Sequence, residues 1–137
     1  MFLDIDRFKS INDTLGHAGG DSVLTGFAER LRDCVRSTDL VARLAGDEFV
    51  IVLENLTTED SAALVAGKVV ERIREPGFQI GEQLLEVTTS IGVAFRRPTD
   101  GPITAPDLLA QADAALYDAK AAGRNRFAIA VTSLQTA

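Results

Sequence analysis

The 137-residue chain has no tryptophan, one cysteine, one histidine and one methionine. A single cysteine cannot close an internal disulfide, so burial and hydrogen bonding must hold the fold. Cys34 falls on the apolar side of a helical pattern and reads as a plain buried thiol, since no histidine lies near it in sequence. His17 has no second histidine with which to build a metal site, and its glycine-rich surroundings suit a loop hydrogen bond. Positive charge is also short: 14 Lys and Arg face 20 Asp and Glu, a formal net charge of −6. That balance disfavours a surface that tracks a phosphate backbone, so no nucleic-acid partner is expected. Small anionic substrates stay open to it, because a cation or a few lysines can offset the charge locally. No apolar run approaches the roughly 20 residues of a membrane helix. Acidic residues follow Met1 too closely for a signal peptide. The expectation is a cytoplasmic domain with no membrane contact by this segment.

What is present suits one compact domain over residues 1–137: 46% of residues are hydrophobic and 25% charged. Residues 2–6 read as a strand and 7–15 as a helix with Phe8, Ile11 and Leu15 on one side. Gly16-His17-Ala18-Gly19-Gly20 reads as a turn, after which Asp21 can cap a helix striped by Leu24, Phe27, Ala28, Leu31 and Val35. Apolar runs at 40–42 and 49–53 flank a Gly46-Asp47 turn and form a hairpin. A helix follows from Thr58 to the stop at Glu75-Pro76-Gly77, then a small hairpin over 78–80 and 84–87, and a longer strand over 88–96. Thr104 and Asp107 frame the last helix, striped by Leu108, Ala112, Ala115, Leu116 and Ala119. Gly123 ends it before a closing strand over 126–131. Strands joined both as hairpins and across helices predict an α+β fold: a largely antiparallel central sheet flanked by helices.

Four carboxylates stand out. Asp4 and Asp6 are two apart on a strand, so they share a face where they repel each other unless a cation or water intervenes. Asp47 and Glu48 sit at a hairpin tip between apolar strands; alone they would be a solvated turn. Together the four could converge on one or two divalent ions, for which magnesium is suited by its preference for oxygen ligands and substrate phosphates. Lys9 lies in the first turn of a helix, where a cation opposes the macrodipole unless a polyphosphate reverses the penalty. Lys120 and Arg124 lie near a helix C-terminus, where cations are favourable with or without a ligand. The glycines at 16, 19 and 20 match neither a Walker loop nor a dinucleotide fingerprint, and there is no serine nucleophile elbow.

In order, five segments resemble the GGDEF family of diguanylate cyclases over nearly the whole chain: Phe2 to Asp13 (FLDIDRFKSIND), Gly16 to Asp21 (GHAGGD), Arg43 to Phe49 (RLAGDEF), Ser90 to Ala94 (SIGVA), and Ala112 to Lys120 running on to Gly123-Arg124-Asn125. The resemblance implies a nucleotide-cyclase or palm-like fold and condensation of two GTP molecules into cyclic di-GMP and two pyrophosphates, with Mg2+ (or Mn2+). It implies that Asp4 and Asp47, with the Ile5 carbonyl, hold metal, and that Glu48 helps to deprotonate the attacking 3′-hydroxyl or to hold metal. Asn12 and Asp21 would read the guanine edge and Leu24 would line the base pocket. Phe8, Lys9, Lys120 and Arg124 would surround the triphosphate, Phe8 mainly through its amide, with Asp6 in support only. Each domain would hold one GTP, so catalysis implies a homodimer of domains.

Arg36-Ser37-Thr38-Asp39 is an RxxD motif with five residues between Asp39 and Ala45, a placement that resembles the family's inhibitory product site; Lys68 or Arg72 could add a second contact. Ala45 replaces the family's first signature glycine, and its methyl would crowd the turn and strain it if φ were positive. The abrupt start in a strand suggests a cut within a longer protein, one fused to sensory or phosphodiesterase domains. The alternatives are a weak or inactive domain acting as a GTP-binding or cyclic di-GMP-binding regulatory module and, further off, a palm-like polymerase.

Overall fold

The computed structural model describes residues 1–131. Its element order is β1 (Phe2–Ile5), α1 (Phe8–Cys34), β2 (Leu40–Ala45), β3 (Glu48–Val52), α2 (Glu59–Arg74), β4 (Phe78–Ile80), β5 (Gln83–Leu85), β6 (Thr89–Val93), a short 3-10 turn at Pro98–Asp100, α3 (Ala105–Ala121) and β7 (Arg126–Ile129). The main sheet runs β2-β3-β1-β6-β7, and β4 and β5 form a separate hairpin. All pairings in the main sheet are antiparallel except β6 with β7, which α3 joins in a βαβ unit. The fold is thus the expected α+β arrangement.

Side-chain alternation divides the sheet into two faces. Leu3, Ile5, Phe49, Ile51, Ile91 and Val93 enter the main core with Phe27 and Leu31 of α1 and Ala66, Val69 and Ile73 of α2. The opposite face is covered by α3 through Ala112, Ala115, Leu116 and Ala119, all buried. Gly92 makes that contact close: a Cβ there would strike the Ala112 carbonyl and the Leu116 amide. Thr58 and Thr104 cap α2 and α3 as expected, accepting from the amides of Ser61 and Asp107, both at 3.2 Å.

Several expectations need correction. The turn expected over 16–20 is only a kink: Gly16 alone leaves the helix (φ 74°, ψ 176°), in a region essentially reserved for glycine. Helix resumes at once, so Asp21 lies inside α1 and caps nothing. Gly19 and Gly20 stay helical because their missing side chains make room for Leu15 and Asn12 of the preceding segment. The strands expected over 88–96 and 126–131 are confined to Thr89–Val93 and Arg126–Ile129, since their mutual pairing ends at Val93 and Ile129. The strand expected over 84–87 closes earlier, at Gln83–Leu85.

Candidate functional site

The end of β1 brings the chemistry together. Asp4 lies directly opposite Glu48 of β3 on one side and Ser90 of β6 on the other, so all three share the face covered by α3. After Ile5 the chain turns through Asp6 and Arg7, with Arg7 left-handed at φ 56°, and enters α1 with no side-chain cap. The first-turn amides of α1, which have no intrahelical acceptors, therefore stay open to an anion. On the β3 side, Gly46 takes φ 52° at the hairpin tip, and the Arg43 guanidinium donates to the Gly46 carbonyl at 2.7 Å. Ala45 is the last residue of β2, pairs with Glu48 and has no positive φ. The turn thus accommodates its methyl without backbone strain.

These elements enclose a cleft of about 460 Å3. Asp4, Ile5 and Asp6 line it from β1 and the turn after it, and Phe8, Lys9 and Asn12 from the start of α1. Gly46 and Asp47 enter from the hairpin tip, Lys120 and Arg124 from the end of α3. A larger cavity of about 530 Å3 lies at the other end of the sheet, among Met1, Leu53, Phe95 and Leu108. It is mostly apolar, with Asn55 and Arg96 its polar side chains, and no carboxylate lines it, so the smaller cleft is the better candidate for the chemistry.

Asp4 is buried, with 7% of its surface exposed. One carboxylate oxygen pairs with the Lys120 ammonium; the other, Oδ1, is buried and has no hydrogen-bond partner among the described residues. Burial pushes the Asp4 carboxyl above the usual carboxylate range; Lys120 opposes the rise, and the charges of Asp47 and Asp6 add to it. Among the described residues, no three acidic, cysteine or histidine side chains are gathered closely enough to form a metal cage alone. The donors fit a different kind of site. The unpartnered Oδ1 of Asp4, the neighbouring Asp47 and Glu48 and the Ile5 carbonyl suit a hard divalent cation that takes its remaining ligands from phosphates and water.

The other expected residues divide. Asn12 lines the cleft, whereas Asp21 is exposed further along α1 and Leu24 is buried in the core beside it. Arg36 and Asp39 border a separate shallow cleft of about 370 Å3 with Arg32 and Val41. Asp39 is already engaged: it accepts from the amides of Arg36 at 2.9 Å and Glu54 at 3.3 Å, and pairs with the Arg36 guanidinium at 3.5 Å. Burial alone would raise its pKa, but these donors outweigh it and hold the carboxyl below its ordinary range. Neither Lys68 nor Arg72 lines that cleft, and Arg72 pairs with Asp33 at 3.4 Å. Burial likewise pushes the Cys34 thiol up, as expected of an inert core cysteine.

Sequence reasoning missed what Asp6 does. Its carboxylate accepts from the Thr88 hydroxyl at 2.7 Å, the Ser90 hydroxyl at 2.6 Å and the Asn125 amide at 3.0 Å. Two hydroxyl residues at alternate positions, Thr88 just before β6 and Ser90 within it, were the available signal, but a sequence does not say which acid they face.

A family model described as "Diguanylate cyclase, GGDEF domain" matches residues 1–126. The chain is 44% identical over 134 residues to the bifunctional diguanylate cyclase/cyclic di-GMP phosphodiesterase MucR of Pseudomonas aeruginosa, covering 98% of this chain and 19% of that protein. It is 37% identical over 138 residues to diguanylate cyclase A of Treponema denticola, covering 100% of this chain and 36% of that one. The chain thus spans well under half the length of either relative. The crystal structure of the GGDEF domain of TpbB (YfiN) from Pseudomonas aeruginosa superposes with a TM-score of 0.86 at 38% identity, over 95% of this chain and 80% of that one.

Proposed function

The chain belongs to the GGDEF domain family of diguanylate cyclases, and from that premise we propose that it condenses two GTP molecules into cyclic di-GMP with release of two pyrophosphates. The observation that carries this reading is the buried, half-unpartnered Asp4 facing Glu48 across the strands, at the mouth of a cleft that also holds Lys9, Arg124 and an uncapped helix start.

In this reading the triphosphate lies over the first turn of α1, with the Phe8 amide, Lys9 and Arg124 around its oxygens. Asn12 and Asp21 read the guanine edge, Asp21 accepting from its adjacent donors, and Leu24 borders the base. A bound Mg2+ or Mn2+, held by Asp4, Asp47, Glu48 and the Ile5 carbonyl, would stabilise charge on the phosphates around the reacting phosphorus. The 3′-hydroxyl of one GTP attacks the α-phosphorus of the other; the new O–P bond forms as the α–β bridging bond breaks and pyrophosphate leaves. Glu48, across the strands from Asp4, would assist in taking the hydroxyl proton. One cleft accommodates one nucleotide, so two domains must meet, each offering its hydroxyl to the partner's phosphate. Repeating the transfer closes the ring. Incubating the full-length protein with GTP and Mg2+ and resolving the products chromatographically tests this; absence of any cyclic dinucleotide rejects it.

A second reading, a regulatory module that binds nucleotide without turnover, draws on the Lys120 ammonium resting on Asp4, where it competes with a cation. It predicts GTP or cyclic di-GMP binding by calorimetry with no product. Under the cyclase reading, cyclic di-GMP also inhibits through the cleft at Arg36 and Asp39, and Arg36→Ala relieves that inhibition.

A further inference from the structure

We propose that Asp6 is a positioning residue that clamps the Arg124 loop against the end of β1 and so fixes the cation that meets the substrate's phosphates. The proposal rests on the GTP-binding reading of the cleft and deepens it.

Asp6 is 6% exposed and satisfies both carboxylate oxygens with protein donors: Oδ1 takes the Ser90 hydroxyl, and Oδ2 takes the Thr88 hydroxyl and the Asn125 amide. A carboxylate committed to three donors makes a poor metal ligand, in contrast to Asp4 with its unpartnered oxygen. The Asn125 bond spans 119 positions of sequence and reaches a turn that sterics disfavour. Arg124 and Asn125 are both left-handed, at φ 64° and 51°, directly after Gly123 at 124°. Consecutive left-handed non-glycine residues cost energy and persist only where the surroundings hold them. Asp6 supplies that hold at Asn125, and the neighbouring Arg124 lines the cleft. The same acid thus ties together β1, β6 and the segment after α3, while Asp4 two residues earlier receives Lys120 from the end of that helix.

Geometry also supplies the control. Asparagine can place its carbonyl oxygen where Oδ2 lies, keeping the Thr88 and Asn125 donors, and turn its amide toward the Ser90 hydroxyl, which can accept. If Asp6 works by hydrogen bonding, Asp6→Asn retains function; if its negative charge acts on metal, Asp6→Asn fails like Asp6→Ala.

The test uses the full-length protein and its Asp6→Ala, Asp6→Asn and Thr88→Val variants. Two quantities are read: hydrogen exchange of the Asn125 amide without nucleotide, and affinity for a non-hydrolysable GTP analogue with Mg2+ by calorimetry. We expect Asp6→Ala to accelerate exchange and weaken the analogue roughly tenfold or more, a change in coupling of about 1.4 kcal/mol or more. Asp6→Asn should stay within about threefold of wild type, and Thr88→Val should fall between them. Should Asp6→Ala fail to fold, Thr88→Val and Asp6→Asn still decide the matter. Equal damage from Asp6→Asn and Asp6→Ala, or unchanged exchange and affinity in Thr88→Val, overturns the proposal. Wild-type protein with no affinity for the analogue would refute the GTP reading and the phosphate role together, and the exchange measurement would then decide the clamp alone.

Discussion

Asp4 stands directly across from Glu48 in the antiparallel register of β1 and β3, buried under α3, with one of its oxygens unpartnered. A fold optimised for stability alone would not keep a carboxylate there, because burial disfavours its charge and only Lys120 offsets it.

The first prediction follows from the sign of that imbalance. Asp4 has a folded-state pKa above its unfolded value of about 3.9. Such a group costs nothing below the unfolded value, where both states are protonated, and its penalty grows as pH rises through the folded value. In the presence of a chelator, Asp4→Asn should therefore raise stability at pH 7, by on the order of 1 kcal/mol. The gain should shrink as pH falls toward 4. Denaturant midpoints across that range measure it, and a variant less stable than wild type at pH 7 would contradict the account.

Lys120 is the counter-charge to Asp4 without ligand, and on the cyclase reading it would contact phosphate once nucleotide binds. Lys120→Ala should bind Mg2+ more tightly in the nucleotide-free protein, because a competitor is gone, and bind GTP more weakly, by roughly tenfold. Calorimetry with each ligand separately reads the two opposite changes; parallel changes would refute the exchange.

Close approach of α3 to the sheet depends on Gly92. Gly92→Ala places a methyl against the Ala112 carbonyl and Leu116 amide, both backbone atoms that cannot rotate away. A loss of about 3 kcal/mol is expected, at the upper end for overpacking, and urea unfolding measures it. Gly16→Ala should cost less, about 1–3 kcal/mol from the unfavourable φ alone, since nothing lies near its missing Cβ.

Arg30 seals the end of α2 from a neighbouring helix. Its guanidinium donates to the carbonyls of Arg72, Ile73, Pro76 and Gly77 and lies 3.8 Å from the centre of the Phe78 ring. An ammonium cannot reach four acceptors in a plane, so Arg30→Lys should lose on the order of 1–2 kcal/mol and Arg30→Ala somewhat more. Thermal unfolding of the pair checks it; equal stability of Arg30→Lys and wild type would count against the planar fit.

Patterns governed by neighbours in sequence were the legible ones. The caps at Thr58 and Thr104, the stripe through Ala112, Ala115, Leu116 and Ala119, and the hairpin turning at Gly46-Asp47 follow from local periodicity and turn chemistry. The glycines at 19 and 20 misled because their small size serves packing against Leu15 and Asn12, an effect indistinguishable in sequence from turn formation. Asp21 was misplaced as a cap for the same reason. Asp6 stayed obscure because its partners lie 82, 84 and 119 positions away. Asp4 and Asp6 look alike as a spaced pair, and only the tertiary surroundings make one a candidate ligand and the other a clamp.

The measurement that bears most directly on the central claim is product formation by wild type and Glu48→Gln, made beside GTP binding on the same samples. Wild type should convert GTP with Mg2+ into cyclic di-GMP and pyrophosphate, while Glu48→Gln should lose roughly a hundredfold or more in rate and still bind the nucleotide. Undiminished turnover in Glu48→Gln, or GTP binding by wild type with no cyclic product, would contradict the account.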